Sequence, residues 1–290
     1  MRGEVQETDM DTYYIDGEFV TDDKAVISVK DLAVLRGYGV FDFLITYNKR
    51  PFYLKEHVRR LENSAAKIGL KLGHSNAEMC EIVEETVRRN THHDESNIRI
   101  VYTGGISSDG VTPEGNGVLM VMVTPKLQLP PEWYTDGAKI VTADIERFIP
   151  GAKSTNYLTA VWSLVQAHEQ GAIESIYVDR NNRMLEGTTT NFYFFKDQKI
   201  VTTQTDILPG ITRMVLMELL KEHFEIELRD IHKDEIGAME EVFISASNKE
   251  IVPIVQINDT TIGDGNPGPN TLKVMQIFRD FTTAYGQGKV

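Results

Sequence analysis

Two kinds of hydrophobic pattern alternate along the chain. In Tyr13-Tyr14-Ile15-Asp16-Gly17-Glu18-Phe19-Val20, apolar residues flank an Asp-Gly pair, which predicts a β-hairpin. Residues 40–47 are rich in β-branched and aromatic side chains and predict a strand. Asn48-Lys49 then turns the chain, and Phe52-Tyr53-Leu54 is expected as the returning strand. Over residues 54–68 the period changes: Val58, Leu61, Ala65 and Ile68 recur at helical spacing. A second helix is expected over 76–90, then strands over 98–103 and 118–124, parted by a glycine-rich loop.

The second half has the same mixture. Strands are expected at 137–144, 175–179, 191–195, 199–202 and 241–245, and helices at 156–170, 211–224 and 271–285. Residues 125–134, with Pro130-Pro131, mark a linker. The expectation is an α+β chain with a tail at 1–12, a small domain at 13–125, a linker at 126–135 and a larger domain at 136–290.

Composition narrows the class. Of 290 residues, 41% are hydrophobic and 25% charged, as in a globular protein. The net charge of -13 repels phosphate backbones, so nucleic acid is not an expected partner. With a single cysteine, Cys80, no intrachain disulfide can form. No apolar run approaches the roughly 20 residues that span a bilayer. The first twelve residues are polar and lack the apolar stretch of a secretory signal, so the expected location is the cytoplasm.

Four segments carry candidate chemistry. In Leu208-Pro209-Gly210-Ile211-Thr212-Arg213 a glycine turn leads into a helix, whose open N–H groups and dipole favour an anion. Alone, it reads as an ordinary Pro-Gly turn with Thr212 as N-cap. In Met184-Leu185-Glu186-Gly187-Thr188-Thr189-Thr190-Asn191 a carboxylate sits in a run of small polar residues. It could face a ligand cation, although a solvated turn is the plainer reading. In Gly151-Ala152-Lys153-Ser154-Thr155-Asn156-Tyr157 a lysine lies among small residues before a helix. A desolvated lysine is a carbonyl nucleophile, but by itself such a lysine reads as a surface residue. In Glu56-His57-Val58-Arg59-Arg60-Leu61, Arg60 falls near the apolar face of its helix, which suits an inward guanidinium bound to phosphate; a solvated helix face is the alternative.

The order and spacing of these four segments together are far more specific than any one of them. The chain resembles the class IV, fold type IV, pyridoxal-phosphate aminotransferases, a family that includes branched-chain aminotransferases, D-amino-acid transaminases and aminodeoxychorismate lyases. The resemblance runs from about Tyr13 to the last helix. It implies a homodimer with shared active sites, the cofactor pyridoxal 5′-phosphate held between two domains, and a neighbour's loop near residues 31–41 closing the pocket. It implies Lys153 as the Schiff-base lysine and proton shuttle, and Glu186 as the partner of the pyridine nitrogen. Arg60, Ile211, Thr212 and Ser247 become phosphate contacts, with Gly210, Thr189 and Thr190 in the same cofactor set. Leu208 packs on the ring. Tyr157 is placed at the phenolic oxygen, although its spacing from Lys153 is one residue shorter than in branched-chain enzymes. The implied reaction is ping-pong: an amino acid gives its amine to the cofactor and a 2-oxo acid, such as 2-oxoglutarate, takes it back.

The chain departs from the family at the substrate end. Where the family has Tyr-Gly-Asp-Gly-Val-Phe-Glu, this chain has Arg36-Gly37-Tyr38-Gly39-Val40-Phe41-Asp42. Arg99 matches the arginine of the branched-chain Tyr-x-Arg motif, but the tyrosine is missing. The Arg-x-His carboxylate trap of D-amino-acid enzymes is absent too, since Gly104-Gly105-Ile106-Ser107 fills that stretch. Arg36, Phe41, Arg99 and Asn248 are therefore the expected substrate residues. Two arginines aimed at one pocket favour a carboxylate there. Asn248 and Lys249 crowd the turn that would otherwise hold it. A carboxylate moved to the arginine wall presents the opposite Cα hydrogen to Lys153, which points to D-amino acids. If Arg36 is only a surface residue, that argument weakens. The alternatives are an L-branched-chain aminotransferase, a lyase like aminodeoxychorismate lyase, and a binding protein that keeps the cofactor without turnover. Arg180 and Arg183, near Glu186, could add to a basic rim, although a solvated position is the plainer reading. His92-His93-Asp94-Glu95 reads as a solvated loop, and no metal is expected.

Overall fold

The computed structural model describes residues 10–290. Most of the expected tail lies outside them; its last residue, Thr12, already belongs to β1. Two compact units emerge. The first comprises Met1–Leu127, Ala152–Asn156 and Tyr285–Val290; the second comprises Gln128–Gly151 and Tyr157–Ala284. The division differs from the expected one at Lys153, which groups with the first unit.

The first unit contains β1 (Thr12–Ile15), β2 (Glu18–Thr21), α1 (Leu32–Arg36), β3 (Gly39–Tyr47), β4 (Arg50–Pro51), α2 (Leu54–Lys67), α3 (Asn76–Arg89), β5 (Ser96–Thr103) and β6 (Leu119–Pro125). The strands form one sheet in the order β2-β1-β6-β5-β3-β4, with every neighbouring pair antiparallel. Asp16 and Gly17 turn the first hairpin at positive φ, 46° and 100°, as an Asp-Gly turn requires. The returning strand falls on Arg50–Pro51, not on the expected Phe52-Tyr53-Leu54, whose last residue begins α2. It ends at Pro51, because Tyr53 adopts φ 49° as the N-cap of α2. Ser75 caps α3 by accepting from Glu78 N, and Glu78 bonds back to Ser75 N, the reciprocal arrangement that closes a helix start. One sheet face is the core: Val40, Leu44, Ile98, Ile100, Val121 and Val123 pack with Val58, Leu61, Ala65, Met79 and Val83 of the two helices. The other face of β3 and β5 carries Phe41, Phe43, Arg99 and Val101, as the two-residue period demands.

The second unit contains α4 (Glu132–Thr135), β7 (Ala138–Asp144), α5 (Leu158–Glu169), β8 (Glu174–Val178), β9 (Arg183–Gly187), β10 (Asn191–Lys196), β11 (Lys199–Thr202), α6 (Ile211–Leu220), β12 (Ile226–Leu228), β13 (Ile231–His232), β14 (Glu241–Ala246), β15 (Glu250–Ile257), β16 (Thr260–Thr261) and α7 (Pro269–Gly286). Its ten-stranded mixed sheet runs β12-β11-β10-β14-β15-β7-β8-β9-β13, with β16 on β15. β7 lies parallel to both β8 and β15. Within the expected linker, α4 places Trp133 and Tyr134 against the core formed by Ile140, Ile176, Phe192, Phe194, Ile244 and Ile254.

Candidate active site

Lys153 is placed by backbone pairing. Its segment adds to the end of β3 through Phe41 N to Lys153 O at 2.9 Å and Thr155 N to Gly39 O at 2.9 Å, with Val40 opposite Ser154. Lys153 N donates to Ser64 Oγ of α2 at 3.1 Å. A Cβ on Gly39 would lie 2.9 Å from Tyr102 O and 3.2 Å from Thr155 Oγ1, so only glycine admits the added segment. The half-buried Lys153 side chain puts Nζ 4.6 Å from the centre of the Phe41 ring. Arg99 lies against that ring too, with Cζ at 5.6 Å, and 5.5 Å from the Phe43 ring. Three of the expected residues, Lys153, Phe41 and Arg99, thus meet on one sheet face. Arg36 ends α1, is exposed, and donates to Leu35 O at 2.8 Å.

On the opposite face of β3, Asp42 is completely buried. Arg60 grips it through Nε to Oδ2 at 2.9 Å and Nη2 to Oδ1 at 2.7 Å, and His57 Nδ1 lies 2.6 Å from Oδ1. Burial would raise the Asp42 pKa, but the charges and hydrogen bonds of Arg60 and His57 hold it far below the usual carboxylate range. Burial pushes His57 down, with Asp42 opposing and the charges of Arg60 and Lys153 assisting. A neutral His57 that donates from Nδ1 to Asp42 satisfies both. Its Nε2 has no hydrogen-bond partner among the described residues.

In the second unit, Glu186 lies within β9, only 4% exposed, rather than in a solvated turn. It pairs with Arg147 Nη1 at 2.6 Å and accepts from Leu208 N at 2.9 Å. Arg147 also donates to Pro150 O at 2.8 Å. The Leu208–Thr212 turn is fixed by Asn191, whose Nδ2 donates to Leu208 O at 3.2 Å. Gly210, not Thr212, is the N-cap of α6, and it offers no side-chain cap. A Cβ at Gly210 would sit 2.1 Å from Asn191 Oδ1. Ile211 and Thr212 are buried first-turn residues, whose amides have no acceptor within the helix. The open helix start with a threonine hydroxyl fits a phosphate, and the buried Glu186 fits a protonated ring nitrogen. Ser247 and Asn248 are half-buried in the turn from β14 to β15. Tyr157, the residue before α5, places its hydroxyl 3.5 Å from Thr188 O.

Sequence reasoning missed a second polar cluster. Glu174 is fully buried in β8. It accepts from Thr188 N at 3.0 Å and Thr188 Oγ1, from Thr189 Oγ1 at 2.7 Å, and from Thr190 Oγ1 at 3.3 Å. The Thr189 and Thr190 hydroxyls expected on the cofactor are thus directed to a carboxylate. Lys249 Nζ donates to Thr189 Oγ1 at 2.8 Å and lies 4.0 Å from Glu174 Oε2. Burial lowers the Lys249 pKa, and Glu174 opposes this. Lys249 therefore turns inward rather than crowding the Ser247 turn with its charge. Arg180 grips Glu146 at the surface, while Arg183 is engaged by Asp179, Asp206 and Asp230. Arg183 is not the solvated residue expected of it.

The family model of amino-transferase class IV matches residues 39–257. The chain belongs to the class IV aminotransferases. Enzymes of this class use pyridoxal 5′-phosphate, and the donors described above suit it. A putative branched-chain-amino-acid aminotransferase of Methanocaldococcus jannaschii is 32% identical over 283 residues, 94% of this chain and 97% of that protein. A D-alanine aminotransferase of Bacillus licheniformis is 33% identical over 274 residues, 91% of this chain and 94% of that protein. The branched-chain amino acid aminotransferase of Escherichia coli superposes with a TM-score of 0.89 at 26% identity, covering 97% of this chain and 96% of that one. The expected α+β fold and aminotransferase class stand.

Two variants probe the polar anchors of this class IV aminotransferase. Asp42→Asn leaves the Arg60 charge without its counterion and should cost about 3 kcal/mol of stability. Because the native carboxyl is depressed, the contribution of Asp42 is complete above the ordinary carboxyl pKa, about 4. It is lost as pH falls through the lowered native value. Acid unfolding of the wild type against Asp42→Asn reads this directly: the difference between them should shrink toward low pH. Gly210→Ala displaces Asn191 and the turn, and should weaken pyridoxal-phosphate retention by tenfold or more in equilibrium dialysis.

Proposed function

We propose that this aminotransferase acts on D-amino acids with a 2-oxo acid such as 2-oxoglutarate as acceptor, and that Lys153 is the residue that carries the cofactor and moves the Cα proton. The observation behind the reading is the shared Phe41 ring, which brings Arg99 and Lys153 to the same sheet face. A permanent guanidinium beside the reactive amine suits an α-carboxylate, bound by two N–H donors. Bound pyridoxal phosphate supplies the electron sink for the electrons left at Cα when its proton departs. Lys153 takes that proton, and the β3 pairing of its backbone limits which Cα face it reaches. Glu186, oriented by Arg147 and Leu208 N, holds a proton at the pyridine nitrogen. Ile211, Thr212, Ser247 and Arg60 hold the phosphate, with Arg60 oriented by its grip on Asp42. Leu208 packs on the ring and Tyr157 approaches its phenolic oxygen. Asn248 is assigned to the substrate wall, and the exposed Arg36 to the loop that a neighbouring copy would lay over the pocket.

An L-branched-chain reading rests on the same Arg99, used for the distal carboxylate of glutamate. The two separate in a half-reaction panel: mixing the holoenzyme with D-alanine or D-glutamate should bleach the visible absorbance of the bound cofactor, and L-leucine should not. Bleaching by L-leucine alone sinks the D-amino-acid reading. Release of pyruvate from an aminodeoxychorismate-type substrate with weak transamination supports the lyase instead. In the same panel Lys153→Ala should abolish turnover, and Arg99→Leu should raise KM for amino donors at least tenfold.

We also infer a homodimer in the cytoplasm. α5 presents Leu158, Val161, Trp162 and Val165 at 49–78% exposure in the i, i+3, i+4, i+7 pattern of a face that seeks a partner. A second copy of the chain is the occupant proposed. Trp162→Glu should shift the sedimentation coefficient toward a monomer. Among the described residues no helix is long and apolar enough to cross a membrane, and Cys80 is a free thiol.

A further inference from the structure

The loop from α3 to β5 and the residue before β1 bring together a cluster that contains none of the residues assigned above to cofactor or substrate. We propose that Asp11, His92 and His93 form a binding site for one divalent transition-metal ion of the zinc type, which fastens the start of β1 to this loop.

The three side chains converge: one donor atom from each lies within 4.8 Å of the others. Asp11 Oδ1 is 3.2 Å from His92 Nε2 and 2.8 Å from His93 Nε2. The imidazole centres are 4.1 Å apart with planes tilted by 55°, so the rings approach one oxygen from different directions. His93 is only 8% exposed, and among the described residues its Nε2 meets no acceptor or donor in hydrogen-bond geometry. A buried ring nitrogen aimed at a carboxylate off the hydrogen-bond line is the arrangement that a shared cation explains.

The site is built before any ion arrives. Asn90 holds Thr12 twice, accepting from Thr12 N at 2.8 Å and donating to Thr12 O at 2.7 Å. Asp22 N donates to Asp11 O at 3.0 Å, and His93 N to Asn90 O at 3.2 Å. These contacts fix Asp11 and His93 relative to the same asparagine. Glu95 is not a fourth ligand, because it accepts from Thr46 Oγ1 and from Asn48 N and Lys49 N in the β3–β4 turn. Asp94 is exposed and outside the cluster. Two imidazoles and one carboxylate, with water in a fourth position, suit zinc rather than calcium or magnesium, which prefer all-oxygen sets. Tetrahedral bonds of about 2.1 Å put ligand atoms roughly 3.4 Å apart. His92 is near that already, and His93 needs a small outward shift. Lys49, whose ammonium is held on Thr91 O at 2.8 Å and whose charge reaches His93, opposes the cation and weakens the site.

The test uses cofactor-saturated protein stripped with EDTA and dialysed. Zn²⁺ titration by calorimetry, with metal content measured after desalting, should give one ion per chain and a higher Tm. Asp11→Asn and His92→Gln, neither of them at a buried position, should each weaken zinc binding at least about tenfold, with aminotransferase activity unchanged. Absence of uptake by the intact protein overturns the proposal without reference to any variant. Equal uptake by the Asp11→Asn/His92→Gln double variant overturns it as well, because the zinc then sits elsewhere. A Tm that rises with acidification but not with zinc assigns the cluster to a proton instead of a metal.

Discussion

Strand β3 presents different chemistry on its two faces, and the two-residue period of an extended chain keeps them apart. Asp42 turns toward α2, where it is buried and gripped by Arg60 and His57. Phe41 and Phe43, its immediate neighbours, turn the other way and meet Lys153 and Arg99. A slip of one residue in the β3–β5 register would exchange these sets. It would bury two aromatic rings beside a guanidinium and expose the carboxylate. The register is held by seven consecutive partners, from Gly39–Thr103 to Ile45–Asn97. The lysine segment inherits that precision because it pairs with the end of β3 by backbone hydrogen bonds.

What is legible in the sequence is legible as order. Lys153, Glu186 and the turn at Gly210-Ile211-Thr212 each read weakly alone, and only their succession points to one family. The helical periods at Val58, Leu61 and Ala65, and the Asp-Gly hairpin, are plain because local pattern dictates them. β15 is not: its apolar run contains Pro253, which cannot donate to a ladder, yet the residue pairs with Phe243 in the middle of the sheet. The segment from Leu208 to Thr212 reads correctly as a turn into a helix start. Its N-cap falls on Gly210 rather than Thr212, because the cap depends on backbone dihedrals that residue type alone does not fix.

The buried polar pairs are illegible for a common reason. Asp42 with Arg60, Glu174 with Thr188 and Thr189, Lys249 with Thr189, and Arg147 with Glu186 join positions far apart in the chain. No periodicity marks such a pair. A charged residue in an otherwise apolar strand, such as Glu174 in Glu174–Val178, is the available signal: a carboxylate there must find donors or remain protonated. His93 is similar. Beside three other polar residues it reads as solvated, and only the folded loop shows it turned inward.

Gly210 and Asn191 occupy one volume between them. The side-chain oxygen of Asn191 stands where a Cβ at position 210 would go, and its amide closes the turn on Leu208. The two positions are therefore linked in inheritance. A lineage that enlarges residue 210 must first shorten residue 191, and thereby gives up the clasp on Leu208. Grafting the turn into another scaffold requires carrying the asparagine with it, although nothing in the primary structure joins the two.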